Sequence, residues 1–273
     1  MTEIISSEQN SRLKILRKLY NKKKRRQKGK FVLEGYRIIE EALNVEADFD
    51  YIFMSPDFYN SSEGKNIESC FLKNNSKNNL LVVDEKLLFS IADTESPQGI
   101  IAVVNEADYE MRDILLEKED VNSLLLLDRI QDPGNMGTII RTAVAAGIDG
   151  IIVLKGSVDI YNLKVLRATM GAIFSIPLIK DVELDDFFEL VDNADKDYRI
   201  ISADLSGELY YHQFDYDFPF IIAIGNEGNG LRKEIIEKSD YLIKIPISDN
   251  IDSLNAAIAT GIIVYKALEN KWD

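Results

Sequence analysis

An amide and a guanidinium six residues apart, Asn135 and Arg141, stand in the stretch of the chain richest in candidate chemistry, DRIQDPGNMGTIIRTAVAAGIDGIIVL from Asp128 to Leu154. The apolar run Leu124 to Leu127 ends in Asp128, and a Pro133-Gly134 turn follows. A helical pattern opens near Asn135 and closes at Gly147, ahead of a second apolar run, Ile151 to Leu154. That order is strand, loop, helix, strand. Ligands bind beyond the carboxyl ends of strands in open α/β sheets, so both side chains start near the place where chemistry is done. A plain βαβ connection gives the same pattern, and this segment alone does not separate the two. A second candidate follows the buried-looking run Phe220 to Ile224: Gly225-Asn226-Glu227-Gly228-Asn229-Gly230. Its central carboxylate repels a pyrophosphate, and its glycines allow close backbone approach, so the loop suits a neutral or cationic ligand. Lys164 and Arg167, on the helical pattern Asn162 to Met170, are expected near a wall of the same site.

Several chemistries are disfavoured by what the chain lacks. His212 is the sole imidazole and lies in a stretch of little periodicity, which removes a Ser-His-Asp triad and disfavours a histidine zinc site. No GxxxxGK[ST] loop is present. Cys70 is the only cysteine, so neither an internal disulfide nor a thiolate metal cluster is expected, and no structural metal. The N-terminus lacks the pattern of a secretory signal, and no apolar stretch approaches the roughly 20 residues that cross a bilayer. A soluble, cytoplasmic protein without membrane contact is the expectation.

Charge is distributed unevenly. Residues 1 to 30 carry a balance of +9, against −23 for the remaining 243 residues. The cluster from Arg12 to Lys30 is dense enough to hold a phosphate backbone, although a solvated terminal arm has the same composition. An acidic body argues that any RNA contact is local.

The elements that must position these groups alternate along the chain. Phe31–Val32, Tyr51 to Met54, Leu80 to Val83 and Ile100 to Val104 read as strands, with helical patterns behind Gly35, at Ile67 to Lys73 and at Glu85 to Ala92. This is a small α/β module, and the charged stretch Asn105 to Asn122 reads as a linker. In the larger part, Leu184 to Val191 is an acidic surface helix, Arg199 to Ala203 a strand and Leu231 to Ser239 a helix. Leu242 to Ile245 is a strand closed by Pro246. The loop Ile247 to Asp252 leads to a long helix from Leu254, capped by Ser253, with an apolar stripe of Ile258, Ile262, Tyr265 and Leu268.

Three stretches, NMGTIIRTAVAAG from Asn135, IIAIGNEGNGL from Ile221 and IPISDNIDSLNAAIATGIIVY from Ile245, resemble in order the three motifs of the SpoU (TrmH) family of RNA ribose 2'-O-methyltransferases. GKFVLEGYRIIEEAL from Gly29 and SPQGIIAV from Ser96 are similar to the L30e-like substrate-binding module that precedes the knotted domain in many members. The resemblance implies an α/β architecture: a basic arm at 1–28, an L30e-like domain at 29–105, a linker at 106–121 and a deep trefoil-knot methyltransferase domain at 122–273. Spacing alone predicts no knot, and knots are rare among folds. The implied cofactor is S-adenosylmethionine, held at Gly225, Ile245 and Leu254, with Ala203 bordering the pocket. Arg141 stands at the family's essential arginine, and Asn135, Glu227, Ser253 and Asn255 occupy the other polar motif positions. Asp249 departs from the usual glycine, and Ala256 and Ala257 from valine and serine. The implied partners are RNA, ribosomal RNA first, and a second copy of the chain in a homodimer.

Methyl transfer to a ribose hydroxyl is a direct displacement that needs the oxygen in line and its proton removed. Arg141 is the family's candidate base, yet an arginine is almost always protonated, which favours a clamp on the phosphate beside the target ribose. Asn135 would orient Arg141 or the hydroxyl, Glu227 would hold backbone donors or the arginine, and Ser253 with Asn255 would shape the loop at the helix start. Structural capping by these four is the competing role. Transfer RNA as substrate, a noncatalytic RNA-binding protein and a knotted base methyltransferase are the alternative readings.

Overall fold

Alternating apolar runs and helical patterns produce two separate sheets in the computed structural model, which describes residues 4–117 and 121–271. Two units divide the chain: Met1–Asp108 with Tyr161–Phe174, and Tyr109–Ile160 with Ser175–Asp273.

In the first unit, strands β1 (Ile4–Ile5), β2 (Lys30–Glu34), β3 (Phe49–Met54), β4 (Leu80–Val83) and β5 (Ile100–Asn105) form a sheet in the order β1-β4-β3-β5-β2. β5 runs antiparallel to both its neighbours. Helices α1 (Ser11–Leu19), α2 (Lys22–Lys28), α3 (Tyr36–Asn44), α4 (Pro56–Asn60), α5 (Ser62–Asn74) and α6 (Glu85–Phe89) complete the segment before residue 108.

Most of the expected basic arm is helical, in α1 and α2. Leu13, Leu16 and Leu19 recur along α1 and are fully buried in one cluster with Val32, Phe53 and Val103. Each such burial stabilises by roughly 1.5–3 kcal/mol and so offsets part of the cost of ordering a charged segment. Arg25, 7% exposed, donates from Nη1 to the carbonyls of Leu19 (2.9 Å) and Tyr20 (3.0 Å), closing the C-terminal end of α1. It is a cap, not a phosphate ligand.

The second unit carries β6 (Ser123–Leu127), β7 (Gly150–Leu154), β8 (Leu178–Val182), β9 (Arg199–Ala203), β10 (Leu209–Tyr210), β11 (Phe220–Ile224) and β12 (Tyr241–Lys244), all parallel, in the order β10-β12-β9-β11-β6-β7-β8. The strands are near-continuous apolar runs because helices cover a parallel sheet. Those helices are α7 (Pro133–Ala146), α9 (Leu184–Asp192), α10 (Lys233–Glu237) and α11 (Ala256–Ala267). The helix between α7 and α9 in the chain, α8 (Leu163–Thr169), belongs to the first unit. Beside it, the ring of Tyr161 stacks on Phe31 with centroids 4.2 Å apart.

Two further expectations change. Part of the stretch read as a linker is core: Met111, Ile114 and Leu115 are buried with Leu124 and Ile152, while 118–120 lie outside the described residues. The final helix begins at Ala256, with Asn255 rather than Ser253 as its cap; Asn255 Oδ1 accepts from Ala257 N (2.9 Å) and Ile258 N (3.2 Å).

Candidate functional site

Strand register brings the candidate loops to one edge of the second sheet. Ile224 pairs beside Leu127, and Ala203 beside Ile243, so the residues that follow β6, β9, β11 and β12 emerge together. The chain passes β7 and β8 on one side of β6 and returns to β9, β11 and β12 on the other, which places the switch in strand order between β6 and β11.

A cavity of ≈ 570 Å³ opens at that edge, lined by Ala203, Gly225, Glu227, Ile245, Ser253 and Leu254 among others. Ile224, Ile243 and Ile247 add apolar surface, and Asp204 and Asp252 join Glu227 as acidic groups. Asp249 is not among the lining residues, and Ala256 is. Gly225 is needed for a reason internal to the loop. A Cβ there would lie 2.3 Å from both Gly230 C and Leu231 N. The backbone that crowds it is fixed by mutual bonds, Asn226 N to Gly230 O (3.1 Å) and Gly230 N to Asn226 O (2.9 Å).

Three motif loops are joined by one hydrogen-bonded relay. Asp132 caps α7, accepting from Asn135 N at 2.8 Å, and Pro133 follows at the first helical position. This sets Asn135 facing two partners. Asn255 Nδ2 donates to Asn135 Oδ1 (2.8 Å), and Asn135 Nδ2 donates to Glu227 Oε1 (3.0 Å). Glu227 also accepts from the backbone N–H groups of Gln131 and Asp132, each at 3.0 Å. Burial pushes the Glu227 carboxyl up, but the bonds from Asn135, Gln131 and Asp132 prevail and hold it below the usual carboxylate range.

Arg141 stands apart from this relay. It is exposed on α7 and makes no hydrogen bond or ion pair with any described residue. Lys164 and Arg167 are carried by α8. α8 lies in the first unit, where Arg167 Nη1 faces Asp93 Oδ2 at 3.7 Å. His212 is exposed against Tyr210 and Tyr211, as its composition implied.

A buried node escaped sequence reasoning. Asp128, fully buried at the end of β6, accepts from Arg129 Nε (3.2 Å), Arg232 Nε (2.8 Å) and Arg232 N (2.9 Å). Arg129 is left-handed (φ 56°), and its carbonyl receives Asn226 Nδ2 at 2.8 Å. The node ties the loop after β6 to both ends of the glycine loop. Its only sequence signal is a carboxylate ending an apolar strand, with arginines at 129 and 232. Asp128→Asn leaves two guanidiniums underpaired. Because both keep some solvent, the expected loss is roughly 2–4 kcal/mol. An unchanged melting temperature in calorimetry would remove the node from the account.

An all-parallel sheet with a ligand cavity and a polar relay at its carboxyl edge defines the class of α/β proteins that bind a small molecule at a switch point. The SpoU rRNA Methylase family model matches residues 122–265, and the MRM3-like substrate binding domain model matches residues 10–102, so α1 and α2 lie within the latter. The chain is 30% identical over 262 residues to the 23S rRNA (guanosine(2553)-2'-O)-methyltransferase RlmP of Bacillus subtilis, covering 96% of this chain and 97% of the relative. The crystal structure of an AdoMet-bound rRNA methyltransferase from Sinorhizobium meliloti superposes with TM-score 0.86 at 31% identity, covering 98% of each chain. The SpoU methyltransferase AviRb from Streptomyces viridochromogenes, in complex with AdoMet, gives TM-score 0.86 at 26% identity, covering 97% of this chain and 99% of that one. The chain belongs to the SpoU rRNA methylase family. Among the described residues, no group of three or more His, Cys, Asp or Glu side chains is placed to hold a metal ion, and no helix is long and apolar enough to cross a membrane.

Proposed function

We propose that this protein transfers a methyl group from S-adenosylmethionine to a ribose 2'-hydroxyl of ribosomal RNA in the cytoplasm. The observation that carries the reading is the Asn255–Asn135–Glu227 relay beside a cavity lined by Ala203, Gly225, Ile245 and Leu254. The cavity fits the donor: isoleucine and leucine side chains suit an adenine, and the carboxylates of Asp204, Glu227 and Asp252 suit a cationic ligand. The bound donor supplies an electrophilic methyl on a sulfonium. The trefoil knot implied by the family resemblance is part of the proposal.

The residues divide the work. Arg141, whose side chain has no hydrogen bond or ion pair among the described residues, holds the phosphate beside the target ribose and stabilises charge that develops on the oxygen. Asn135 orients the hydroxyl with its remaining N–H, since its oxygen and one N–H are committed to Asn255 and Glu227. Glu227 is a clamp on the loop rather than a base. Its oxygens already accept from Gln131, Asp132 and Asn135. Asn255 fixes the start of α11 while holding Asn135, and Ser253 shapes the donor-side wall. Incubation with methyl-labelled donor and unmodified ribosomal RNA, with transfer RNA in a parallel reaction, tests this. A labelled, alkali-resistant dinucleotide is the expected product; label confined to a base, or to transfer RNA, contradicts it.

Homodimerisation belongs to the same proposal. α11 is apolar on nearly every side, yet Ile258 is 57% and Tyr265 49% exposed, while the helix packs on α7 along another face. Ile258→Asp with Tyr265→Asp is expected to convert a dimer to a monomer in sedimentation velocity. A variant that sediments like the parent excludes this helix from the interface.

RNA capture is assigned in part to the exposed face of α2, where Lys22 and Lys23 line a groove. Lys22, Lys23 and Lys28 changed together to Gln, with Arg25 kept, are expected to weaken RNA binding and to lower the salt slope by about 2–3. Donor affinity should not move. A parent-like slope would make this face a solvated surface.

A further inference from the structure

The geometry points to a slot in the first unit that takes one unpaired nucleotide of the RNA substrate, a role that rests on the RNA methyltransferase reading above. A cavity of ≈ 470 Å³ opens there between the start of α3, the loop before β5 and the end of α8. Its surface is apolar where Ile38, Pro97, Ile100 and Met170 contribute. Arg37 and Arg167, both exposed, line the same cavity, with the Gln98 amide beside them.

Each polar group is left in a state that suits a nucleotide. Arg37 makes no hydrogen bond or ion pair with any described residue. Among the described residues the Arg167 side chain is paired with Asp93 alone, at 3.7 Å between side chains 43% and 53% exposed, an ion pair weak enough to exchange for a phosphate. Gln98 Oε1 accepts from Tyr36 N at 2.7 Å, which fixes the amide plane and leaves Nε2 as a donor for a base edge. Glu34, the carboxylate in the lining, is already committed to Tyr20 Oη (2.5 Å), Asp93 N (2.8 Å) and Thr94 N (3.2 Å), so it shapes the loop instead of facing the slot as a free anion.

Met170 supplies the second line of argument. It ends α8 in a left-handed conformation (φ 52°) with 49% of its surface exposed. Glycine or asparagine adopts that conformation at lower cost, and an exposed thioether gains nothing from water. A polarizable sulfur over a flat ring does gain, and unpaired bases are read by such contacts together with phosphate clamps. Because α8 lies in the sequence between α7 and α9 but packs in the first unit, the slot combines residues from both family-model segments.

The test uses the full-length protein, S-adenosylmethionine and large-subunit ribosomal RNA transcribed with 4-thiouridine. Arg37→Gln and Met170→Asn, both at exposed positions and the second compatible with a left-handed backbone, are each expected to raise KM for RNA about tenfold. kcat and donor affinity should stay within twofold, and photocrosslinks to the 162–173 peptide should be lost. Methyl transfer with parent-like KM for RNA in both variants overturns the slot while the enzymatic reading stands. Crosslinking of the parent through this peptide without methyl transfer to any RNA preserves the slot and sinks the enzymatic reading. A parent that neither crosslinks to nor methylates RNA overturns both.

Discussion

Replacing Arg141 with alanine is expected to lower kcat about a hundred- to a thousandfold, the loss typical when one preorganised donor to a developing charge is removed. Donor affinity should stay within a few-fold, because Arg141 is not among the residues that line the donor cavity. Arg141→Lys should be nearly as damaging: an ammonium is a point charge, whereas the planar guanidinium grips two oxygens at once. Stability should hardly change, since the side chain is exposed and makes no hydrogen bond or ion pair with a described residue. Single-turnover kinetics with calorimetric donor titration separates these effects. Parent-like turnover would remove Arg141 from the chemistry, and a large loss of donor binding would reassign it to the cofactor.

Glu227→Gln is expected to lower kcat/KM about ten- to a hundredfold, by a different route. Four donors converge on this carboxylate: two backbone N–H groups, the Asn135 amide and, at 3.4 Å, the Asn226 amide. A glutamine has one acceptor and one donor end, so at least one N–H would meet another N–H. Charge-assisted bonds of this kind contribute about 1.5–3 kcal/mol each. The loss should fall on donor affinity and on kcat together, because the same side chain borders the cavity and holds Asn135.

The pH dependence follows from the sign of the shift. With its folded pKa held below the usual range, Glu227 contributes its stabilisation fully above the ordinary carboxylate pKa and loses it only as pH falls through the lowered folded value. Donor binding should therefore be flat between about pH 5 and 7 and fail only in more acidic solution. A titration of donor affinity centred near neutrality would contradict the clamp.

How much of this was legible depends on how locally each feature is determined. The parallel sheet, α7 and the glycine loop follow from apolar runs interrupted by turn residues, and Asn135, Glu227 and Asn255 are visible as polar residues at loop ends. Their hydrogen bonds are not, because Asn135 and Asn255 are 120 residues apart and meet only through strand order. The cap of α11 illustrates a local ambiguity: Ser253 and Asn255 are both good cap residues, and the register of the helix decides between them. Charge density hid α1, although Leu13, Leu16 and Leu19 carry a helical spacing. Contiguity assigns α8 to the second sheet, whereas the stacking of Tyr161 on Phe31 ties that segment to the first unit. Asp128 was passed over because the end of an apolar strand gives no hint of a guanidinium arriving from residue 232.

The most direct test of the central claim is a map of ribose methylation in total RNA from cells with and without the gene, read as resistance to alkaline cleavage. The account predicts that one 2'-O-methylated position in large-subunit ribosomal RNA is lost with the gene, and that it returns with the parent chain but not with Arg141→Ala. An identical methylation map in ribosomal RNA with and without the gene would contradict it.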